Sequence, residues 1–400
     1  MNEQKRVYES VLQDHLESNR QMVFLSGPRQ VGKTTLAKTF AGNRYFSWDD
    51  RAVQRAVVES QKAFGAMAGL DEVRDDRPII ALDEIHKYTR WKSFLKGFFD
   101  HYEKSVRILV TGSARLDVYR RGGDSMMGRY FLYRMHPFSV GELLRTGLPL
   151  EEINVPSRLE EDRWSALWTF GGFPEPFCNQ TMRFLNRWRG RRSEQLIRED
   201  LRDLTRVFEV DTVAVLTDLL RHRAGEQLVV SSLARDLHVA ETTVSAWIKT
   251  LEYLYFGFTI RPWFRNVENS LRKTPKWYQR DWCEVADDGK RFENLIACHL
   301  LKAVEMWTDL GLGEFGLYYL RDKQKREVDF LVSKNGDPWF LVEAKLAKTA
   351  LSSSLEYFQK ATGAKHAFQV TRDMEYVEAD CFQRTDPVLA PARTFLGQLP

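Results

Sequence analysis

Cysteine is scarce in this sequence. Its four cysteines, Cys178, Cys283, Cys298 and Cys381, lie far apart. They make no CxxC pair and no Cys/His cluster at zinc spacing, which argues against a thiolate metal site and a disulfide framework. Such usage suits a reducing compartment, so the cytoplasm is the expected location. Long apolar runs are also missing. No stretch is long enough to span a bilayer, and the polar opening MNEQKRVYES has no signal-peptide core. A membrane is therefore not an expected partner. Charge of one sign is in small excess only: +4, with a pI near 8.7. This allows a polyanionic partner without requiring one. What remains is a chain of 400 residues, 43% apolar and 28% charged. That is ordinary for globular protein, and the length predicts two to four domains.

The most specific signal is MVFLSGPRQVGKTTLAKTF. Met22 to Leu25 reads as a buried strand. Gly27, Pro28, Arg29, Gln30, Val31, Gly32, Lys33 and Thr34 then match G-x-x-x-x-G-K-[ST], and Leu36, Ala37 and Phe40 keep helical spacing. The glycines let backbone N–H groups turn inward around phosphates, and the helix N-terminus adds partial positive charge. Lys33 is expected on the β- and γ-phosphates of ATP, Thr34 on Mg²⁺, and Thr35 among the nucleotide contacts. PIIALDEIHK supplies a second buried strand, Ile79 to Leu82, ending in Asp83 and Glu84. Ligands gather at that end of parallel strands. Asp83 is expected on the Mg²⁺ side and Glu84 as the base that activates water.

A third strand runs from Val106 to about Thr111. Ser113 is the first candidate, and Thr111 the second, for a polar contact to the γ-phosphate or the water; a plain turn is the alternative. Arg120, Arg121 and Arg129 are candidates for an arginine finger, with Arg129 after Gly128 preferred and a solvated surface arginine as the alternative.

GPRQVGKTT, ALDEIHK, VTGSAR, GRYFLYRMHPFSVGEL, FGGFPEPF and REVDFLV…LVEAKL together resemble the prokaryotic AAA-type ATPases that carry a C-terminal domain of unknown function. The resemblance covers most of the chain, with the motifs in the same order. It implies an AAA+ core followed by a nuclease-like domain. Ala114 and Arg115 depart from the small hydroxyl residues frequent there, which weakens the Ser113 assignment.

Pro149 to Pro156 reads as a boundary. RWSALWTFGGFPEPF gives a helix, a double-glycine stop and a Pro-Glu-Pro break, suited to a helical lid. MRFLNRWRGRRSEQLIREDLRDL is arginine-rich from Arg183 to Arg202, with Phe184, Leu185, Trp188, Leu196, Ile197 and Leu201 in rough helical spacing. It is either a solvated face or a phosphate-tracking surface. From about Phe208 the pattern suggests a winged helix. Ser231 or Ser232 would cap a helix Leu233–Leu237. A second helix would bury Val244, Trp247, Ile248 and Leu251, and FGFTIRPW would be the wing. Thr242, Thr243, Ser245 and Lys249 would face a DNA groove or a protein partner.

After a basic linker, NSLRKTPKWYQRD, come a helix with Glu293 near its start, the strand FGLYYLRD, the hairpin REVDFLVSKNGDPWFLVEAKL, the helix SLEYFQKAT and the strand HAFQVT. This order is similar to the PD-(D/E)XK nuclease core, with Asp329, Glu343 and Lys345 fitting its acid and E-x-K positions and Glu293 the additional helical acid. The resemblance implies Mg²⁺ held by Asp329 and Glu343, with Lys345 positioning the water or stabilising the developing charge. Register decides whether this works. A tight two-residue turn at Asn335-Gly336 would put Asp329 opposite Val342, facing away from Glu343. A three-residue loop Asn335-Gly336-Asp337, with Gly336 or Asp337 at positive φ, or a bulge, would put the two acids opposite one another and Glu327 opposite Lys345. The structural alternative is an exposed Glu327–Lys345 ion pair worth under about 1 kcal/mol.

The expected fold is α/β. It has an AAA+ P-loop core with a parallel sheet over 1–150, a helical lid over 151–206, a winged-helix segment over 207–265 and a restriction-endonuclease-like α/β domain over 266–400. The expected activity is Mg²⁺-dependent ATP hydrolysis coupled to DNA, with metal-dependent cleavage at the C-terminal acids. The rival is a nucleotide-gated regulator with an inactive nuclease-like domain. DNA is the expected partner; a second copy or a protein partner is the alternative.

Overall fold

The computed structural model describes residues 4–73, 75–112, 126–196, 210–264 and 273–400. The chain forms two compact units. One takes Lys5–His136 and Thr146–Leu148; the other takes Pro137–Arg145 and Pro149–Pro400.

The first unit is built on five parallel strands: β1 (Met22–Ser26), β2 (Tyr45–Ser47), β3 (Ile79–Asp83), β4 (Arg107–Gly112) and β5 (Tyr130–Arg134). Their order is β2-β3-β4-β1-β5. The continuous apolar runs of β1, β3 and β4 are buried on both faces, as a parallel sheet requires. Helices α1 (Val7–Ser18), α2 (Lys33–Ala41), α3 (Arg51–Glu59), α4 (Gln61–Met67) and α5 (Trp91–Tyr102) complete the unit. Phe64, Phe94, Phe98 and Tyr102 pack their rings into its core. Register aligns the strand ends: Ser47 pairs with Asp83, Asp83 with Thr111, and Ser26 with Gly112. The carboxyl ends of four strands thus meet at the loop before α2.

The second unit opens with short helices. These are α6 (Val140–Leu144), α7 (Glu161–Phe170), α8 (Pro174–Asn179) and α9 (Met182–Gln195). Gly171, at φ 81°, ends α7. The Pro-Glu-Pro expected to break the chain instead starts α8, because proline at the first helical position loses no hydrogen bond. Next come α10 (Val210–His222), α11 (Val230–Asp236) and α12 (Glu241–Tyr253). Helix α11 begins before the expected serine caps, at Val230, with no side-chain cap. The inward face of α12 is the expected one: Val244, Trp247, Ile248 and Leu251 are buried.

A seven-stranded sheet follows, in the order β12-β11-β10-β9-β8-β6-β7. Its strands are β6 (Gly257–Pro262), β7 (Lys276–Gln279), β8 (Phe315–Arg321), β9 (Glu327–Lys334), β10 (Asp337–Lys345), β11 (His366–Thr371) and β12 (Val388–Pro391). Strand β7 corrects the basic-linker reading. Lys276–Gln279 is fully buried and pairs antiparallel with β6, which in turn joins β8. The charge of the segment misled: its one buried lysine is held by acids rather than by water. Helix α13 (Asp288–Asp309) packs Leu295, Ile296, Leu300 and Trp307 in the same core as Phe330, Val332, Phe340 and Val342. Helix α14 (Ser353–Thr362) covers Leu331 and Leu341 with Leu355 and Phe358. The last helix, α15, is Ala392–Gly397.

Candidate functional site

In the first unit the glycine loop is in place. Gly27 holds φ 154°, and a Cβ there would collide with the Met135 carbonyl oxygen. Gly32, at φ 105°, starts α2 in a left-handed conformation. Lys33 Nζ donates to the carbonyls of Gly27 and Pro28, both at 2.8 Å, and so lies folded across the loop that phosphates would fill. Arg6 donates to the Val31 and His136 carbonyls, both at 2.5 Å, bracing the loop from outside.

Asp83 is the centre of this site. Thr34 Oγ1 donates to its Oδ2 at 3.1 Å. Thr111 Oγ1 donates to its Oδ1 at 2.5 Å. The Tyr45 hydroxyl also donates to Oδ2. The hard oxygens of Thr34 and Asp83 fit Mg²⁺. Glu84 takes a left-handed φ of 56°, and its N–H donates to the Thr111 carbonyl at 3.0 Å. Burial, then the charge of Asp83, raises the Glu84 pKa. Its Oε2 sits 3.6 Å from His86 Nε2 and 3.8 Å from Lys87 Nζ. Tyr45 was missed in sequence, although NRYFSW carries a strand signal after α2. Ser113, with Arg120 and Arg121, lies outside the described residues. Thr111, the second candidate, holds Asp83. Arg129 makes a bidentate pair with Asp100, at 2.7 and 2.9 Å.

In the second unit the hairpin has both features that the sequence posed as alternatives. Asn335 and Gly336, at φ 55° and 90°, make a tight two-residue turn between Lys334 and Asp337. The ladder then shifts between Pro338 and Phe340, so that Phe340 pairs with Val332 and Val342 with Phe330. One further step sets Asp329 level with Glu343. The positive φ falls on Gly336, one of the two residues expected to take it, and also on Asn335; Asp337 does not take it. Asp329 Oδ2 accepts from the Ala344 N–H at 2.9 Å.

Around this pair lies a half-buried charge cluster with buried Lys276 at its centre. Lys276 Nζ is 2.6 Å from Glu327 Oε1, 3.2 Å from Glu293 Oε1 and 3.8 Å from Asp329 Oδ1. Tyr278 donates to Glu293 Oε1 at 2.7 Å. A Cβ on Gly225 would sit 3.3 Å from both Glu293 carboxylate oxygens. Lys345 Nζ lies 2.9 Å from Glu343 Oε1. The exposed Glu327–Lys345 pair is therefore not formed: Glu327 turns to Lys276 and Arg321, and Lys345 to Glu343. Burial, then the charge of Asp329, pushes the carboxyls of Glu293 and Glu343 up to about 7. Burial alone would lower the Lys276 pKa, but Glu293, Asp329 and Glu327 outweigh it and keep the ammonium charged. Sequence reading had missed both Lys276 and Glu327 as members of a site.

Among the described residues, no group of three or more His, Cys, Asp or Glu side chains is arranged to hold a metal ion. Asp329 and Glu343 offer two carboxylates, and Glu343 Oε2 is buried with no hydrogen-bond partner. Two carboxylates completed by water or substrate phosphate suit Mg²⁺, which seldom uses an all-protein cage.

Comparison with known proteins divides the chain in three. Residues 19–144 match a family model described as an AAA domain. Residues 161–283 match a domain of unknown function, DUF8612, and residues 288–385 match another, DUF4143. The uncharacterized protein Rv2008c of Mycobacterium tuberculosis is 25% identical over 344 residues, which is 84% of this chain and 72% of that one. The uncharacterized protein MJ1637 of Methanocaldococcus jannaschii is 23% identical over 429 residues, 94% of this chain and 84% of its own. Among solved structures, C. elegans PCH-2 is similar at a TM-score of 0.22 and 17% identity; the likeness covers 34% of this chain and 41% of that one. The ORC1 protein of Aeropyrum pernix, solved in complex with DNA, is similar at 0.30 and 15%, over 72% and 90% of the two chains. Residues 19–144, most of them in the first unit, thus make up an AAA-type domain, and among the described residues no helix is long and apolar enough to cross a membrane.

Proposed function

We propose that the protein is a Mg²⁺-dependent ATPase whose turnover is coupled to binding or remodelling DNA, and whose C-terminal acids cleave it. The carrying observation is the Thr34 Oγ1 to Asp83 Oδ2 hydrogen bond at 3.1 Å, with Glu84 next in the chain. It supports reading Thr34 and Asp83 as the cation-binding pair and Glu84 as the base beside them. Lys33, freed from the loop carbonyls, reaches the β- and γ-phosphates, and the backbone of residues 27–35 cradles them. Glu84, with its raised pKa, takes the proton of the attacking water. The cation, when bound, neutralises charge on the phosphate oxygens. Ser113 and Arg129 complete the assignment. Arg129 acts on a neighbouring copy in a homo-oligomer and leaves Asp100 to do so. We assign α7–α9 to a helical lid and α10–α12 with β6 to a winged helix. The free cysteines fit a cytoplasmic setting.

At the C-terminal cluster, Asp329 and Glu343 hold the cation, Lys345 steadies the developing phosphate charge, and Glu293 anchors Lys276. A second reading is favoured by one observation: Lys276 already neutralises Glu293 and Glu327. On that reading the cluster is a nuclease-like scaffold without cleavage, within a nucleotide-gated regulator.

Two experiments decide. Glu84→Gln should abolish ATP turnover and keep ATP binding; unchanged turnover removes Glu84 as base. DNA incubated with Mg²⁺ or Mn²⁺ should be cut by wild type and not by Lys345→Ala or Glu343→Gln. Intact DNA with all three, across duplex and single-stranded substrates, leaves the scaffold reading.

A further inference from the structure

Helix α9, MRFLNRWRGRRSEQ, carries five arginines and one glutamate, Glu194. The fold sorts these arginines into two groups. Arg192 points inward: its guanidinium lies 4.2 Å over the Phe173 ring and 5.4 Å over Trp188, with Nη1 3.7 Å from Glu284 Oε1. Arg189 also faces that side, where its charge and that of Arg192 act on buried Asp281. Leu185 and Trp188 are buried. Arg183, Arg187 and Arg191 are exposed. Spaced four residues apart, they form one row along the outer face, with about 6 Å between successive positions.

Nothing in the described structure balances this row. No ion pair or side-chain hydrogen bond joins Arg183, Arg187 or Arg191 to another described residue. Like charges at this spacing disfavour a helix, and Arg183 sits in the first turn, where the helix dipole is positive. Local stability thus gains nothing from the row. Its chemistry matches a phosphate backbone: guanidinium forks pair with phosphate oxygens two bonds at a time. A lipid surface fits less well, because the helix buries Leu185 and Trp188 in the core and its exposed face, apart from Met182 at the first turn, is charged or polar.

We infer that the outer face of α9 is a docking surface for the phosphate backbone of nucleic acid. The inference rests on the reading of DNA as partner and adds where that partner sits. Each arginine replaces a counterion released from the polyanion, so the row contributes salt dependence rather than sequence preference.

Fluorescence anisotropy of labelled duplex DNA with the full-length protein, over a salt series, tests it. The triple variant Arg183→Ala, Arg187→Ala, Arg191→Ala should bind more weakly, with a log affinity against log salt slope shallower by about 2–3. The triple lysine variant should keep most of the slope. ATP turnover should match wild type, and thermal unfolding should be equal or slightly higher, since the three side chains are exposed and their like charges disfavour the helix. An unchanged slope, or a wild type that binds no DNA, overturns the inference. So does an equal loss by the alanine variant of binding to phosphatidylserine vesicles or polyglutamate, which makes the row a general polyanion contact. ATP turnover is measured apart, so a failed docking surface leaves the ATPase reading standing, and absent turnover leaves the docking result to be read by itself.

Discussion

Lys276 Nζ lies 2.6 Å from Glu327 Oε1 and 3.2 Å from Glu293 Oε1, inside the C-terminal acid cluster. A buried cation shared in this way offsets carboxylates that would otherwise repel. Removing it leaves them uncompensated, which costs far more than losing an exposed pair. Lys276→Met should lower the unfolding free energy by about 3–5 kcal/mol. Added Mg²⁺ should restore more stability to the variant than it adds to wild type. Chemical denaturation with and without Mg²⁺ measures both. A loss of under about 0.5 kcal/mol would place Lys276 with ordinary surface lysines.

Glu343 gives the cluster a pH dependence. Its carboxyl is raised from 4.5 to about 7 by burial and by Asp329. The folded state therefore keeps a proton that the unfolded chain has released, and stability falls as pH climbs through that window. Glu343→Gln removes the cost of ionisation. It should be near neutral at about pH 4 and stabilising by about 1–3 kcal/mol at about pH 8. Denaturant unfolding of both proteins at the two pH values checks the sign; equal effects at both would contradict it.

Asp83 is clamped from both flanking strands, by Tyr45 on β2 and Thr111 on β4. Tyr45 then aims Oδ2 at the Thr34 hydroxyl. A hydrogen bond to a charged group contributes about 1.5–3 kcal/mol. Tyr45→Phe should raise the Mg²⁺ needed for half-maximal turnover about tenfold. ATP affinity measured in a chelator should not change. A parallel loss of both would make Tyr45 a general packing residue instead.

Gly27 is fixed by two constraints at once, a φ of 154° and the Met135 carbonyl against its Cα. Gly27→Ala must move the loop or the neighbouring chain. Binding of a fluorescent ATP analogue should weaken by at least about tenfold, in line with a strained backbone cost of about 1–3 kcal/mol. Wild-type affinity in this variant would show that the loop tolerates the shift.

Much of the first unit was legible because its signals are local. Strand, glycine loop and helix are adjacent in sequence, and the apolar runs of β1, β3 and β4 leave little choice of element. Hydroxyls that arrive from another strand were harder. Tyr45 carries no motif, and only the parallel pairing of β2 with β3 brings it to Asp83. In the second unit, α13, the hairpin and α14 follow from periodicity. Lys276 was read as linker because a charged residue between a proline and a tryptophan looks solvated, whereas its neighbours in space are carboxylates.

The hairpin marks the division most clearly. Sequence alone determined a turn at Asn335-Gly336, two flanking strands, and Glu343 and Lys345 two residues apart on β10. It could not determine which residue of β9 faces Glu343, because a one-residue slip exchanges the faces at no cost to composition. The shift between Pro338 and Phe340 settled it. Packing of Phe340 and Val342 with Phe330 and Val332 in the α13 core fixes that register, and Asp329 is thereby brought level with Glu343. The burial that follows also raised the carboxyl pKa values and required Lys276, consequences of tertiary enclosure that no local pattern encodes.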